Sequence, residues 1–525
     1  MKSLESLVGQ MLMFGFQETE ISERLVRLFR ETRAGGVILF RRNFSSTKAL
    51  KQLLDQLQQE LGRPLLVAVD HEGGRVIHLA GGVTVFPDNL VLGAAGKEAY
   101  ARQQGLLEAF ELGELGIHLN LAPTLDVLTP AFSPNIGIRS YGRDPALVAR
   151  LGAARIRGIQ EGGLSACAKH FPGQGHSPVD AHLGLPVLES SPEEMNRIHL
   201  LPFREAIKAG VLSIMTSHPV YPGLDEEGVP ATFSSRIVRD LLRGQLGFQD
   251  AVLTDDLEMG ALRAFGSVAE ASVRAACAGH DLLLICSNEK DQRETFDSLL
   301  KACRSGVLDA GELERSSERI HRLRRPPAIR KEAECSPAQA QLLANRIARE
   351  GIRSAAGLGI QKEPQKDPVK LSAPVVIFPR LSELGSKFFI EKIFEDEQAY
   401  VRKLFETKDV RPADIFVLGL EPEPSGMKSA LAAASEADCV ICFCYDANLS
   451  KGWAHVLTTL EKASRDPRFI FLRDPYDADL LKEGNTPYVQ AFGFRACQIE
   501  AAFEVLLEKD FMRLPLRPAH GRAPQ

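Results

Sequence analysis

Eight short apolar runs, rich in β-branched and aliphatic residues, recur through the first 290 or so positions: GQMLMFGF, GGVILF (35–40), PLLVAVD (64–70), IHLNLAP (117–123), LSACAKHF (164–171), LSIMTSHP (212–219), AVLTDD (251–256) and DLLLICS (281–287). Between them lie segments such as ISERLVRLFRET, TKALKQLLDQLQQEL and PEEMNRIHLLPFREAIKAG, whose periodicity predicts helices. A continuous apolar run suits a strand covered on both faces, which is the condition of a parallel sheet. Eight strand–helix units are the number that closes a (β/α)8 barrel.

At 525 residues the chain is too long for that barrel alone. A basic stretch, HRLRRPPAIRKEAECSP (321–337), is followed by the helix-like QAQLLANRIAREGIRSAAG and the polar IQKEPQKDPVK. Five more apolar runs follow: APVVIFP, DIFVLGL, ADCVICFCY, RFIFLRD and YVQAFG. The expected fold is therefore α/β: a TIM-type barrel over 1–325, a linker and connecting helix over 326–372, and a smaller αβα-sandwich-like domain over 373–525.

A formal net charge of -5 gives no global field to attract nucleic acid or an anionic membrane. No apolar run of about eighteen residues is present to span a bilayer. The N-terminal MKSLESLVGQ does not read as a signal peptide, because it lacks a basic region followed by an apolar stretch and a cleavage site. The nine cysteines are odd in number and sit mostly inside apolar runs, as reduced, buried thiols do, so a cytoplasmic location is expected. CVICFC holds a single C-x-x-C with no second pair, and reads as a buried strand with small thiols rather than a zinc site.

Run after run ends in a group capable of chemistry: Asp70, Asp126, Lys169-His170, Ser217-His218 and Asp255-Asp256. In a barrel these C-terminal strand ends share one rim, where active sites are built. The loop KHFPGQGHSPVDAHLGLP adds His176, Asp180 and His182. Its imidazoles and carboxylate are zinc or iron ligand types, although spacings of six residues through Gly and Pro match no compact ligand pattern. Alternatively Asp180 and His182, two apart in an extended segment, point the same way, and the carboxylate fixes the tautomer of a proton-shuttling imidazole. Asp255, closing an apolar strand in TDDLEM, is placed to act as a nucleophile, while Asp256 reads as a cap.

PLLVAVDHEGGRV, PNIGIRSYGRDP, AKHFPGQGHSPVDAH and GFQDAVLTDDLEMGAL, in this order and at these separations, resemble glycoside hydrolase family 3, in its NagZ-type β-N-acetylhexosaminidase branch. The resemblance covers most of residues 1–325. It implies Asp255 as the nucleophile of a covalent glycosyl intermediate, His182 as acid/base supported by Asp180, and a sugar held by Asp70, Arg139, Lys169 and His170. It implies no cofactor and no metal. The implied activity is a retaining exo-β-N-acetylglucosaminidase in muropeptide recycling, with a small N-acetylglucosamine-containing carbohydrate as substrate and no nucleic acid or membrane partner.

The chain also departs from that pattern. Where the branch reads approximately K-H-F-P-G-H-G-D-T and then D-S-H, this sequence carries Gln174, His176, Ser177 and Ala181. His176 thereby offers a second proton carrier, ranked below His182 because the D-x-H pattern is preserved. His78 stands where the family often places a sugar-contacting arginine, and is assigned to the substrate. A histidine acid/base leaves the site less negative than two carboxylates would, so phosphorolysis is a rival, as is a broader β-glycosidase. Rivals of another class are a metal-dependent barrel hydrolase and a silent amino-sugar-binding protein.

Overall fold

The computed structural model describes residues 3–129, 133, 135–177, 184–324, 336–357, 373–385, 394–482 and 486–508. The strands of the first part are β1 (Leu12–Phe14), β2 (Gly36–Leu39), β3 (Leu66–Val69), β4 (His71–Gly73), β5 (Val76–Ile77), β6 (Leu119–Asn120), β7 (Ser165–Phe171), β8 (Ser213–Thr216), β9 (Ala251–Asp256) and β10 (Leu282–Ile285). Eight of them form a closed barrel in the order β1-β10-β9-β8-β7-β6-β3-β2, with every pairing parallel. Each barrel strand lies within one of the eight apolar runs. Buried side chains from around the barrel, among them Met13, Ile38, Ala68, Leu119, Met215 and Leu253, join in one apolar cluster. The two remaining strands, β4 and β5, make a small antiparallel hairpin directly after β3.

The later strands are β11 (Val375–Pro379), β12 (Asp414–Leu418), β13 (Val440–Cys444), β14 (Pro467–Phe471) and β15 (Tyr488–Gln490). They form an open parallel sheet in the order β12-β11-β13-β14-β15. The central β13 is buried along its length, Cys442 and Cys444 included.

The chain divides into two compact units, Met1–Thr84 with Lys97–Gln341, and Val85–Gly96 with Leu342–Gln525. The twelve-residue segment Val85–Gly96 thus leaves the barrel's sequence to join the second unit. Within that unit it meets the helix Pro337–Gly357, where a Cβ added at Gly351 would stand 2.2 Å from the Val91 carbonyl oxygen. The expected linker IQKEPQKDPVK lies outside the described residues. No helix among the described residues is long and apolar enough to cross a membrane.

One buried ion pair ties the barrel's outer layer to its rim. The helices Glu98–Gly113 and Pro145–Glu161 cross closely because Gly105 and Gly158 carry no side chain there. A Cβ at these positions would come within 2.5 Å of the Arg155 carbonyl oxygen and 2.0 Å of the Arg102 carbonyl oxygen, respectively. Arg155 and Glu108, both 0% exposed, pair across the crossing at 2.8 Å. Arg155 Nη2 also donates to the Glu72 carbonyl oxygen in β4 at 2.7 Å. Removing one partner of such a pair strands the other charge. Arg155→Ala is expected to cost about 3–5 kcal/mol of stability, read as a fall in denaturant midpoint. A loss no larger than that of a surface pair, about 1 kcal/mol or less, would contradict this.

Candidate active site

The polar residues that close the barrel strands meet at one rim, and their network centres on Glu72. Its carboxylate is 1% exposed, so its charge must be matched locally. Four hydrogen bonds do so: Lys169 Nζ reaches Oε1 at 2.6 Å, Arg139 Nη2 reaches Oε1 at 2.8 Å, Arg139 Nε reaches Oε2 at 2.9 Å, and Thr124 Oγ1 donates to Oε2 at 3.0 Å. Burial pushes the Glu72 carboxyl up, but the charges of Arg139 and Lys169 outweigh it and hold the group well below the usual carboxylate range. Burial pulls the Lys169 ammonium down, while Asp70 and Glu72 more than compensate and keep it above its ordinary value. Lys169 Nζ donates to Asp70 Oδ1 at 2.5 Å.

His170, next along β7, turns to a second carboxylate. Its Nδ1 meets Asp126 Oδ2 at 2.7 Å and its Nε2 faces Arg139 Nη2 at 3.4 Å. An acceptor on one side and a donor on the other select the tautomer with the proton on Nδ1. The other oxygen of Asp126 accepts from the Gln174 amide at 2.7 Å, fastening the loop after β7 to the same carboxylate.

Asp255, the penultimate residue of β9, is partly exposed at the barrel mouth. Burial raises its carboxyl, yet His170, His218, the Asp256 amide and Lys169 together leave it below the ordinary aspartate value. The amide contact is direct, Asp256 N donating to Asp255 Oδ1 at 2.8 Å. His218 is fixed by its Nε2 on the Asp256 carbonyl oxygen at 2.9 Å and by its Nδ1 at the Thr232 hydroxyl at 2.7 Å. Asp256 behaves differently from its neighbour. Burial, Glu258 and Asp255 push it up to about 7. Its Oδ1 accepts from the Glu258 amide at 3.1 Å, so it caps a turn.

Of the residues expected to act, Asp70, Arg139, Lys169 and His170 are therefore linked by hydrogen bonds through Glu72 and Asp126, and Asp255 lies in the field of two of them. His78 stands outside those hydrogen bonds, packed edge-on against Phe40 with ring centroids 5.2 Å apart. Burial lowers its pKa, and its Nδ1 is buried without a hydrogen-bond partner among the described residues. Asp180 and His182 lie outside the described residues. Sequence reasoning gave Thr124 and Thr232 no role and Glu72 no catalytic one. For Glu72 the available signal was a carboxylate beside the strand-ending Asp70. Among the described residues no group of three or more His, Cys, Asp or Glu is arranged to hold a metal ion.

The N-terminal domain of glycosyl hydrolase family 3 matches this chain over residues 3–323. The chain belongs to glycosyl hydrolase family 3. It is a glycoside hydrolase with a family 3 barrel. It is 38% identical over 295 residues to the β-hexosaminidase of Thioalkalivibrio sulfidiphilus, a match covering 55% of this chain and 84% of that protein. The family 3 β-N-acetylglucosaminidase of Paenibacillus sp. str. FPU-7 superposes with a TM-score of 0.85 at 31% identity, covering 97% of both chains. NagZ from Neisseria gonorrhoeae, solved in complex with N-trifluoroacetyl-D-glucosamine, is similar at 32% identity with a TM-score of 0.55, over 64% of this chain and 97% of that one.

One further local feature lies beside the loop after β7. The rings of His176 and His199 stack, with centroids 4.3 Å apart and planes at 29°. Ser190 Oγ meets His176 Nε2 at 3.1 Å, whereas His176 Nδ1 and both His199 nitrogens are buried with no partner among the described residues. The stack lies under the Gly173–Gln174 turn, since a Cβ at Gly173 would stand 2.9 Å from His199 Cβ. Burial, and then the His176 charge, push His199 down to about 4, with Asp126 opposing. Burial also lowers His176 against the pull of Glu194 and Asp126.

The folded state therefore holds His199 neutral where the unfolded chain would protonate it. The associated stability is present above the unfolded pKa of 6.5 and is lost as pH falls toward about 4. His199→Phe keeps a ring for the stack and removes the titrating nitrogens. Its melting temperature is expected to fall less than that of the wild type between about pH 8 and pH 5. Parallel pH profiles of the two proteins would contradict this.

Proposed function

We propose that this glycoside hydrolase is a retaining exo-β-N-acetylglucosaminidase that removes terminal β-linked N-acetylglucosamine. The observation that carries the reading is Asp255, a partly exposed carboxylate at the end of β9 held below its ordinary pKa by His170, His218 and Lys169 against the opposing effect of burial. A carboxylate ionised at neutral pH at the mouth of a barrel is fit to be a nucleophile. In the first step an Asp255 oxygen attacks the anomeric carbon, the bond from that carbon to the aglycone oxygen breaks, and His182 protonates the departing oxygen. In the second step His182 takes a proton from water, whose oxygen attacks the same carbon and releases the Asp255 carboxylate. Two displacements retain the anomeric configuration. Asp180 orients His182.

Asp70, 19% exposed at its side chain, is free enough to accept a sugar hydroxyl, while Lys169 beside it is 3% exposed and anchored on both carboxylates. Arg139, His170 and His78 complete the sugar-binding set. The amino-sugar preference draws support from the β-N-acetylglucosaminidase of Paenibacillus and from the N-trifluoroacetyl-D-glucosamine complex of the Neisseria gonorrhoeae protein. A role in muropeptide recycling in the cytoplasm follows from the same reading, and the free cysteines described along the chain agree with a reducing compartment.

The test is release of nitrophenol from 4-nitrophenyl N-acetyl-β-D-glucosaminide in phosphate-free buffer containing chelator. The wild type is expected to turn over, and Asp255→Ala to lose roughly 10³–10⁶-fold in kcat. Turnover that needs added phosphate would replace hydrolysis by phosphorolysis. Turnover abolished by chelator would overturn the metal-free mechanism.

A further inference from the structure

At the barrel end opposite the rim, where the chain enters β1 and β10, a cavity of about 140 Å³ is lined by Arg239, Arg243, Arg315 and Arg319 together with Asp281 and Glu312. Four guanidinium groups face two carboxylates, and the hydrogen bonds show how those carboxylates are used. Asp281 is fully engaged. Its Oδ2 accepts from Arg243 Nη2 at 2.6 Å and from the Val252 amide at 2.8 Å. Its Oδ1 accepts from Ser316 Oγ at 2.6 Å and from Arg319 Nη1 at 2.9 Å. Glu312 is held by both terminal nitrogens of Arg239, at 2.8 and 2.7 Å.

Three arginines thus take up both carboxylates by hydrogen bonds, and among the described residues Arg315 has only ion-pair contacts at longer range. The nearest carboxylate oxygens to Arg315 are those of Glu312 at 3.9 Å and Asp309 at 4.0 Å. Arg315 projects from the helix Ala310–Leu323 one turn before Arg319, so two guanidinium groups on one helix face open into a cavity already rich in positive charge. Planar forks with spare donors bind tetrahedral oxyanions through paired N–H···O bonds.

We propose that this cavity is a binding site for a phosphate-class oxyanion, inorganic phosphate or a phosphate monoester, gripped by Arg315 and Arg319 in the field of Arg239 and Arg243. It is remote from the reacting carboxylate, so the ligand acts on stability or association of the barrel's N-terminal face and not on the bond being broken. The assignment does not depend on which glycoside the rim cleaves.

The test uses the full chain and follows the melting temperature against inorganic phosphate, with sodium chloride matched for ionic strength, and separately against glycerol phosphate. The wild type is expected to show a saturable rise absent in chloride. Arg315→Ala is expected to weaken the apparent affinity at least about tenfold, and Arg315→Ala/Arg319→Ala to abolish the response. Turnover of the nitrophenyl glycoside in phosphate-free buffer should stay within about twofold of wild type in Arg315→Ala. Tighter binding of glycerol phosphate assigns the site to a monoester, and tighter binding of inorganic phosphate to the free ion. No saturable response, or an equal response in both variants, as phosphate held at the catalytic rim would give, overturns the proposal.

Discussion

A carboxylate sealed inside a protein stays ionised only where donors surround it, and the rim of this barrel is organised by that requirement at Glu72. Its two oxygens take four hydrogen bonds from Lys169, Arg139 and Thr124. Those donors come from three different stretches of the chain, so satisfying one buried charge fixes the ends of β6 and β7 and the turn Gly137–Arg139 relative to the β4–β5 hairpin. The same residue's carbonyl oxygen is held by Arg155, which carries the constraint outward to the crossing helices. Withdrawing any one donor would expose the others to the full cost of an unmatched charge.

From that anchor the electrostatics at Asp255 follow. With Lys169 immobilised on Glu72 and His170 on Asp126, two of the groups that lower Asp255 are held in place by the rim's own hydrogen bonds. Asp255 and Asp256 are neighbours in sequence with opposite behaviour. The first is lowered because His170, His218 and Lys169 outweigh burial, and the second is raised to about 7 because burial, Glu258 and Asp255 act together on it. Pairs of carboxylates whose surroundings push their pKa values apart are a recurring way to separate a working group from a structural one.

Much of this was legible in the sequence. All eight barrel strands, and the central strands of the later sheet, stand out because strands buried on both faces must be continuously apolar. Asp70, Lys169, His170 and Asp255 stand out because they interrupt those runs at the same end. Other features were hidden for physical reasons. The roles of Glu72 and Thr124 depend on partners far along the chain that no local pattern announces. The stack of His176 on His199 joins a loop to a helix, and although His176 stands out as a departure from the family pattern, nothing local announces His199 as its partner. Segment Val85–Gly96 joins the second unit through shape, its contact with Gly351 being a matter of backbone approach.

The central claim is that Asp255 becomes covalently bonded to the sugar, and the most direct measurement traps that bond. The wild type would be mixed with a 5-fluoro N-acetylglucosaminyl fluoride, whose departure from the enzyme is slow, then digested and mapped by mass spectrometry. The account predicts one glycosyl adduct, on the peptide carrying Asp255, that disappears on chase with water or acceptor. An adduct on another residue, or turnover of the nitrophenyl glycoside with no adduct at any time, would contradict it.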